Sequence, residues 1–442
     1  MIYCLSKASL NQIANKQLMG EIISVNKKKY YNYIAEKTKI YKLINMTRFS
    51  SSVAELRSSE IRDLMSLATA PDMISFAGGM PGNELFPLNK IDEILNSLSD
   101  KEKQVALQYG PTTGLPTLLE SLADWLEKKG LPVKSNKLII TTGSLQAINI
   151  LAKAFLDPGD SVLVETPSFI GALSAFRSYQ ANLITVPLNG DGMDINLLKQ
   201  RLKAASSKPK FLYYSPNFHN PAGIIYSEEV KKQMIEVLKN QEIPVIEDDV
   251  YSDLYFYEED VPKMQLIKTM DPEGIDVCYT GSFSKILGPG LRLGWMLVPE
   301  SIYQKCELIK QSIDACSPSI SQVVADKFIR EGHIDNYIAE VREEYKKRGF
   351  AMIETLEDCM PDSVTFEKPR GGFYTWLQLP EGCDATAVLK KCIEKGVVVV
   401  TGKTFDPDGI KNDHIRVSFC NTDVETIKRG VPVIADAIKE LI

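Results

Sequence analysis

The 442 residues are enough for more than one domain, and with 44% hydrophobic and 24% charged residues the composition is that of a globular protein with a large core. The net charge of −6 argues against a nucleic-acid partner, because nucleic-acid binding usually needs a basic face. Eight cysteines and three histidines are scattered without paired spacing, so neither a zinc site nor a disulfide framework is indicated, and a reducing cytoplasm is expected.

The first 45 residues differ in charge from the rest of the chain. They hold eight lysines and two glutamates and no other charged side chain. They lack both the apolar core of a secretory signal and the Arg and Ser enrichment of a mitochondrial transit peptide. We interpret residues 1–45 as an N-terminal extension without a role in the core. Apolar runs elsewhere, such as "GVVVV", have the length of strands and are too short to span a membrane.

From about residue 85 to 300, amphipathic helical segments alternate with short apolar runs bounded by turns. Helices are predicted for "SLQAINILAKAFL", beginning at Ser144, and for "DINLLKQRLKAA". Strands are predicted in "KLIITTG", "DPGDSVLVETPSF", "ANLITVPL", "PKFLYYSPNF", "IPVIEDDVYSDL", "IDVCYTGSFSK" and "RLGWMLVP", the first two together with turns. Apolar strands separated by helices predict an α/β fold with a mostly parallel sheet covered on both faces.

A long helical stretch follows, to about Met360, and the chain then changes character. We predict strand, helix, strand, strand and helix for "SVTFEKPRGGFYTWLQL", "ATAVLKKCIEK", "GVVVVTG", "HIRVSF" and "VETIKRGVPVIADAIKEL". This order indicates a smaller α+β domain. We place a large domain at residues 85–330 and the small domain at 331–442.

Three polar clusters follow predicted strands, where α/β sheets bind their ligands. "TTGSLQA" has small residues at a helix start and suits a phosphate, although an ordinary N-cap turn explains it too. "EDDVY" is a candidate metal site, a solvated turn, or a site that combines Asp248 with Tyr251. In "SPNFHNPAG", Asn220 is either a turn former or a ligand-binding residue.

The stretch "VCYTGSFSKILGPGLRLGWMLVP" makes this combination more specific. A lysine at a sheet end, Lys285, loses hydration, which lowers its pKa and makes a neutral amine available for a Schiff base with an aldehyde. Ser282, Ser284 and Arg292 around it would bind a dianion. An aldehyde that carries a phosphate is pyridoxal 5'-phosphate, which also needs an acid beside its ring nitrogen. Asp248 is the candidate acid.

Two further positions complete this set of candidates. Tyr251 and Asn220 are candidates for the ring hydroxyl of the cofactor. Phe169, in "ETPSFIGA", would stack on the ring face; otherwise it is a core aromatic residue.

The motifs "TTGSLQ", "PSF", "PNFHNPAG", "EDDVY", "SFSK…GLRLGW" and "HIRVSF" occur here in the order typical of one family. Over residues 55–442 the chain resembles the fold-type-I pyridoxal-phosphate aminotransferases, most closely the group of kynurenine, 2-aminoadipate and aromatic aminotransferases. The resemblance implies an aspartate-aminotransferase-like fold with a seven-stranded type of sheet. It also implies that residues 46–84 pack with the small domain and line the substrate pocket.

The resemblance also implies a role for each candidate residue. Lys285 would form the Schiff base and shuttle the proton, Asp248 would pair with the ring nitrogen, and Tyr251 and Asn220 would bind the ring hydroxyl. Arg416 would bind the substrate carboxylate beside Asn220, with Gly79 and Arg62 in the substrate pocket. Tyr109 would reach the phosphate in the partner subunit of a homodimer. The phosphate itself would be held by Gly143, Ser144, Ser282, Ser284 and Arg292.

The implied function is transfer of an amino group from an amino acid to a 2-oxo acid such as 2-oxoglutarate, in a ping-pong cycle. The aromatic, glycine-rich segments around residues 55–85 and 371–376 fit an amino donor with an aromatic, 2-aminoadipate-like or other long side chain. One alternative is another pyridoxal-phosphate reaction on this fold, such as C–S lysis or decarboxylation. A remote alternative is a transcription regulator with an aminotransferase-like domain, which the acidic body disfavours.

Overall fold

The computed structural model describes residues 49–54, 60–67, 72–271 and 274–442. The prediction for residues 1–45 therefore lies outside the described residues. Residues 49–54 contain one short helix, α1, Ser51–Ala54. Every other element belongs to a compact unit that extends from Arg57 to Ile442.

The helices and strands of this unit cover most of its described length. Its helices are α2 Glu60–Leu67, α3 Leu88–Ser97, α4 Asp100–Leu107, α5 Pro116–Lys128, α6 Ser144–Phe155, α7 Ile170–Ser178, α8 Ile195–Ala204, α9 Glu228–Gln241, α10 Ile267–Met270, α11 Glu300–Asp314, α12 Ser319–Arg330, α13 His333–Cys359, α14 Ala385–Glu394 and α15 Val424–Lys439. Its strands are β1 Ile74–Ser75, β2 Lys137–Thr141, β3 Ser161–Thr166, β4 Asn182–Asn189, β5 Gly192–Met193, β6 Leu212–Tyr214, β7 Val245–Asp248, β8 Val277–Ser282, β9 Gly294–Val298, β10 Thr365–Phe366, β11 Tyr374–Gln378, β12 Val397–Val398, β13 Val400–Thr401 and β14 His414–Ser418. Within the described ranges, no helix has the length and apolar character needed to cross a membrane.

The large sheet has the strand order β2-β9-β8-β7-β6-β3-β4-β5. Strands β8, β7, β6, β3 and β4 run parallel to their neighbours in that row, whereas β9 is antiparallel to both β2 and β8. The two-residue strand β5 adds an antiparallel edge beside β4. The predicted mostly parallel, seven-stranded type of sheet is confirmed, with β5 as a short addition.

Helices cover both faces of this sheet because its strands are apolar on both sides. All residues of β3 are buried. Val162 and Val164 pack into a cluster with residues of α6, α7 and α11, whereas Leu163 packs into a second cluster with residues of α8 and α9. A strand whose successive side chains are buried on opposite faces reads as a continuous apolar run, which is why the sequence indicated parallel strands.

The smaller sheet is antiparallel, with the order β10-β11-β14-β13. The prediction of one strand over "SVTFEKPRGGFYTWLQL" is wrong, because the segment forms the two paired strands β10 and β11. The valine run "GVVVVTG" is divided in the same way. Its first half, β12, pairs with β1, and its second half, β13, pairs with β14. The proposed domain boundaries, including the segment 46–84, stay predictions.

Candidate active site

A cavity of about 300 Å³ lies where the carboxyl ends of β2, β3, β6, β7 and β8 meet. It brings together residues that are far apart in the sequence. Among its lining residues are the predicted positions Gly79, Gly143, Ser144, Phe169, Asn220, Asp248, Tyr251, Ser282, Ser284, Lys285, Arg292 and Arg416. It is also lined by Ile61, Met80, Leu145, Ser215, Val250 and Tyr374, which the sequence did not single out as site residues.

Lys285 lies just after β8 and is half-buried, with its amine in the cavity. Its Nζ donates a hydrogen bond of 2.6 Å to the carbonyl oxygen of Gly79. The pKa of Lys285 is lowered to about 8, chiefly by burial and to a smaller extent by the nearby cations Arg416 and Arg292, against the opposing effect of Cys420. At neutral pH about a tenth of such a lysine is uncharged, which is the form that attacks a carbonyl.

Asp248 is the last residue of β7 and is buried. Its carboxylate accepts hydrogen bonds of 2.8 Å from Tyr213 on β6 and from Thr280 on β8. Thr280 is the cross-strand partner of Asp248, so the register of the sheet itself fixes this contact. Burial raises the pKa of Asp248 to about 6, although both hydroxyl donors act in the opposite direction. A cation beside this carboxylate would offset the cost of its burial.

The two neighbouring acids of "EDDVY" have other partners. Glu247 accepts hydrogen bonds from the backbone N–H groups of Ile267 and Lys268, at 2.7 and 3.1 Å, and so supports the start of α10. Asp249 accepts from the side chain of Asn217 at 3.3 Å. Of these three acids, only Asp248 lines the cavity. In the part of the chain that the structure describes, no group of three or more His, Cys, Asp or Glu is arranged to hold a metal ion.

One end of the cavity is an anion pocket formed at the start of α6. Gly143 caps this helix, and Ser144 is its first residue, so the hydroxyl of Ser144 does not cap the helix. Arg292 lies beside them, and its Nη2 donates to the carbonyl oxygen of Thr142 at 3.2 Å. Gly294 permits the close packing, because a Cβ there would come within 2.8 Å of the backbone of both Gly143 and Ser144. A helix start beside a guanidinium is suited to a phosphate.

Ser282 and Ser284 add hydroxyl groups to the lining of the cavity. The Ser282 hydroxyl accepts a hydrogen bond of 3.1 Å from the backbone N–H of Ser284, which leaves its own proton available to a ligand. Phe169 lies just before α7 and is only half-buried, with its ring on the cavity. It is therefore not fully enclosed in the core, and its ring is available for stacking.

Arg416 lies on β14 and is almost completely buried. Its Nη1 donates to the side-chain oxygen of Asn220 at 2.8 Å, and its Nη2 donates to the carbonyl oxygen of Ala77 at 2.6 Å. Its Cζ is 4.2 Å from the ring centroid of Tyr374 and 4.7 Å from that of Phe405. The buried Nε has no hydrogen-bond partner among the described residues. The guanidinium is thus held in place and retains donor capacity for an anion.

Tyr251 and Tyr374 both line the cavity and contact each other. Their hydroxyl oxygens are 3.2 Å apart, and their rings are packed edge to face. Burial raises the pKa of both phenols, so both are protonated at neutral pH. The sequence indicated Tyr251 but gave Tyr374 no role beyond its aromatic, glycine-rich surroundings.

A buried polar network that the sequence analysis did not predict lies behind the cavity. Glu165 accepts hydrogen bonds from the hydroxyl of Tyr226 at 2.5 Å, from the backbone N–H of Ser215 at 3.1 Å and from His219 at 3.1 Å. The other ring nitrogen of His219 accepts from the N–H of Ala222 at 3.2 Å, so the nitrogen that faces Glu165 carries the proton. The network fixes both ends of the loop that carries Asn220.

Two predicted residues are not among those that line this cavity. Arg62 is exposed on α2, one position after Ile61, which does line it. Tyr109 follows α4 and is 83% exposed. The assignments of these two residues stay predictions.

A lysine with a lowered pKa, a buried aspartate and two arginines around one cavity are the features expected of a pyridoxal-phosphate enzyme. The model of the family "Aminotransferase class I and II" matches residues 77–434. The chain therefore belongs to this family, and it transfers amino groups between amino acids and 2-oxo acids with pyridoxal 5'-phosphate as its cofactor.

Known proteins support the narrower resemblance as well. The chain is 38% identical to aromatic-amino-acid aminotransferase 1 of Thermococcus litoralis over 396 residues, which covers 89% of this chain and 94% of the relative. It is similar to the solved kynurenine aminotransferase of Pyrococcus horikoshii, with 39% identity, a TM-score of 0.85 and coverage of 89% and 97%. It is also similar to α-aminoadipate aminotransferase of Thermus thermophilus, solved with N-(5'-phosphopyridoxyl)-L-leucine, with 33% identity, a TM-score of 0.81 and coverage of 89% and 97%. The predicted resemblance to this group and the predicted fold are confirmed.

The residues around the cavity fit this cofactor. Its phosphate requires anion donors, which Arg292 and the start of α6 supply, and its ring nitrogen requires an acid, for which Asp248 is buried without a cationic partner among the described residues. When bound, pyridoxal phosphate supplies an aldehyde that links to amines and a ring that withdraws electrons from them.

Proposed function

We propose that this aminotransferase takes amino donors with aromatic, 2-aminoadipate-like or other long side chains and passes the amino group to a 2-oxo acid such as 2-oxoglutarate. The supporting observation is the composition of the cavity. Arg416 offers the donor for an α-carboxylate, and the apolar side chains of Ile61, Met80, Leu145 and Val250 line the same space. Apolar walls favour a donor whose side chain is large and not strongly hydrated.

The geometry supports a division of roles among the polar residues. Gly143, Ser144, Ser282, Ser284 and Arg292 hold the phosphate. Asp248 stays ionised beside the ring nitrogen, and Tyr251 and Asn220 bond the ring hydroxyl.

Five residues contact the substrate in this proposal. Arg416, beside Asn220, binds the substrate α-carboxylate with Gly79 at the pocket wall. Lys285 removes the proton from the substrate α-carbon, for which the neutral amine favoured by burial is required. Arg62 is proposed to line the substrate pocket, as the resemblance to the family implies.

A panel of amino donors tests the substrate proposal. Phenylalanine, tyrosine, kynurenine, 2-aminoadipate, leucine, alanine and aspartate are each incubated with the loaded enzyme and 2-oxoglutarate, and released glutamate is measured. Aromatic or 2-aminoadipate donors are expected to give the highest kcat/KM, and the Lys285→Ala variant serves as the inactive control. A clear preference for alanine or aspartate would contradict the proposal.

The same incubations separate transamination from the other pyridoxal-phosphate reactions. Transamination forms one glutamate for each amino donor consumed and leaves the donor's carbon skeleton as its 2-oxo acid. A lyase or decarboxylase would consume the donor without 2-oxoglutarate and would release ammonia or carbon dioxide. Donor consumption that does not depend on 2-oxoglutarate would favour that alternative.

The proposed assembly is a homodimer in which Tyr109 reaches the phosphate in the partner's site. In the single chain the side chains of Leu107 and Tyr109 are 87% and 83% exposed. Two large, exposed residues so close in the chain are suited to burial against a second copy. Sedimentation analysis of the loaded enzyme is expected to give the mass of two chains.

Complementation between two inactive variants tests the role of Tyr109. Lys285→Ala and Tyr109→Ala chains are mixed, unfolded and refolded together. If Tyr109 acts in the partner's site, each mixed dimer has one site with both residues intact, and random pairing restores about a quarter of the wild-type activity. Activity no higher than that of the two variants separately would show that Tyr109 does not act across the dimer.

The proposed compartment is the cytoplasm. The seven cysteines within the described ranges are all free, and most of them are buried in the apolar core. Such thiols are typical of proteins in a reducing compartment.

A further inference from the structure

Tyr374 contacts three parts of the site at once, although no role has been assigned to it. It is the first residue of β11 and is buried at 3% exposure. Its ring lies against the guanidinium of Arg416, its hydroxyl is 3.2 Å from that of Tyr251, and its hydroxyl end reaches Gly79. Tyr374 therefore contacts Arg416, which is proposed to bind the substrate carboxylate, and Tyr251, which is proposed to bind the cofactor. It also contacts Gly79, whose carbonyl accepts the hydrogen bond from Lys285.

The sheet register explains the first of these contacts. On β14, Arg416 is paired with Trp376 of β11, and Ser418 is paired with Tyr374. Paired residues of antiparallel strands share a face of the sheet, so Tyr374 is the diagonal neighbour of Arg416 on that face. A ring in this position attracts the cation and restricts the plane of the guanidinium.

The hydroxyl of Tyr374 also requires a glycine opposite it. A Cβ added at Gly79 would clash with that hydroxyl oxygen. The carbonyl of Gly79 accepts the hydrogen bond from Lys285 at 2.6 Å. Without a side chain at residue 79, this segment can lie against Tyr374 and present its carbonyl to the lysine.

We propose that Tyr374 is a positioning residue, whose ring orients Arg416 for the substrate carboxylate and whose hydroxyl orients Tyr251 toward the cofactor. This inference rests on the proposed function, which gives Arg416 and Tyr251 those roles. When Tyr251 donates its proton to the ring hydroxyl oxygen, its own oxygen is left to accept from Tyr374. A hydroxyl that accepts a hydrogen bond becomes a stronger donor.

Several charged and titratable groups lie around Tyr251 and Tyr374 and can influence a pH titration of the bound cofactor. Arg416 faces them from β14, Lys285 follows β8, Asp248 ends β7, Arg292 lies at the anion pocket, and Cys420 follows β14. Substitution of a tyrosine by phenylalanine leaves all of these groups in place. A difference between the variants therefore reports the hydroxyl itself.

The test is the absorbance of the cofactor bound to Lys285, titrated with pH in wild type, Tyr251→Phe, Tyr374→Phe and the double variant. A donor to the ring oxygen stabilises its anionic form, so loss of Tyr251 is expected to raise the midpoint of the spectral transition. Tyr374→Phe is expected to raise it by a smaller amount, about twofold to fivefold in proton affinity. In the double variant the midpoint should match that of Tyr251→Phe, because Tyr374 acts through Tyr251.

Steady-state kinetics tests the ring separately from the hydroxyl. Tyr374→Phe keeps the ring on Arg416 and is expected to leave the KM for the amino donor within about twofold, whereas Tyr374→Leu is expected to raise it about fivefold or more. Tyr345→Phe is the matched control, because Tyr345 is a buried tyrosine that packs on Phe373 and is not among the residues lining the cavity. It should change neither the KM nor the midpoint.

The outcomes distinguish this inference from the proposed function. If Tyr251→Phe shifts the midpoint and Tyr374→Phe does not, the positioning role of the Tyr374 hydroxyl is refuted while the role of Tyr251 stands. If neither variant shifts it, the proposed role of Tyr251 is itself wrong. An unchanged KM in a folded, cofactor-loaded Tyr374→Leu variant would refute the role of the ring.

Discussion

Asp248→Asn should stabilise the cofactor-free protein while it inactivates the enzyme. In the folded protein, burial raises the pKa of Asp248 from 3.8 to about 6. Each pKa unit is worth about 1.4 kcal/mol, so ionisation of this carboxyl in the folded state costs about 3 kcal/mol relative to the unfolded chain. An asparagine has no charge to bury and avoids that cost.

The effect has a defined pH window. Between about pH 4 and pH 6 the folded protein retains the Asp248 proton while the unfolded chain has already lost it, so the free energy of unfolding falls as the pH rises. Above pH 7 the cost is fully present. The difference in stability between Asp248→Asn and wild type should therefore grow from less than about 1 kcal/mol near pH 4 to about 3 kcal/mol at pH 7.5.

Urea unfolding of the two cofactor-free proteins across this pH range measures the difference. Asp326→Asn is a matched control, because Asp326 is also a buried aspartate but accepts hydrogen bonds from Ser121 at 2.7 Å and from Arg330. Loss of a paired carboxylate should lower the stability at pH 7.5, opposite to the result for Asp248. With pyridoxal phosphate bound, the advantage of Asp248→Asn should shrink or reverse, because the ring cation then pairs with the wild-type carboxylate. A cofactor-free Asp248→Asn protein less stable than wild type at pH 7.5 would refute this reasoning.

Three further substitutions test the other parts of the site. Lys285→Ala should abolish turnover and the visible absorbance of the lysine-bound cofactor; a variant that retains that absorbance would show that another amine holds the cofactor. Arg416→Lys keeps the charge but loses the planar pair of donors, so the KM for amino donors should rise about 10-fold to 100-fold. An unchanged KM would place the carboxylate elsewhere. Gly294→Ala should displace the start of α6 and weaken cofactor binding at least about 10-fold in an equilibrium titration, and normal binding would show that this close packing is not required.

Much of the fold could be predicted because its local signals agree. The strands of the large sheet are apolar on both faces, and polar motifs follow several of them directly. The sequence could not choose among the three acids of "EDDVY". That choice depends on the strand register, which places Asp248 opposite Thr280. Glu247 instead accepts a hydrogen bond from the backbone of α10. The division of "SVTFEKPRGGFYTWLQL" into two strands likewise depends on pairing within the small sheet.

Glu165 is a residue whose buried contacts could not be predicted from the local sequence pattern. It is a single acid at the end of an apolar strand, and a solvated turn is the ordinary explanation of such a residue. Its partners His219 and Tyr226 follow β6, more than fifty residues later, and only the adjacency of β3 and β6 brings them together. Tyr374 presents the same difficulty. Its contacts come from β14, from the loop after β7 and from the segment after β1, and none of them is visible in the local sequence.

The site holds an acid and a base that are both close to changing charge near neutral pH. Burial raises the pKa of Asp248 to about 6 and lowers that of Lys285 to about 8. In the cofactor-free protein each shift is an electrostatic cost of folding, and the Nε of Arg416 adds a buried donor without a partner among the described residues. The ring cation of the cofactor would offset the cost at Asp248, and its electrophilic carbon would offset the cost at Lys285. A substrate carboxylate would offset the cost at Arg416. The features that destabilise the cofactor-free protein are therefore the ones that favour binding of the cofactor and the substrate, and this is why Asp248→Asn should stabilise the chain and inactivate the enzyme.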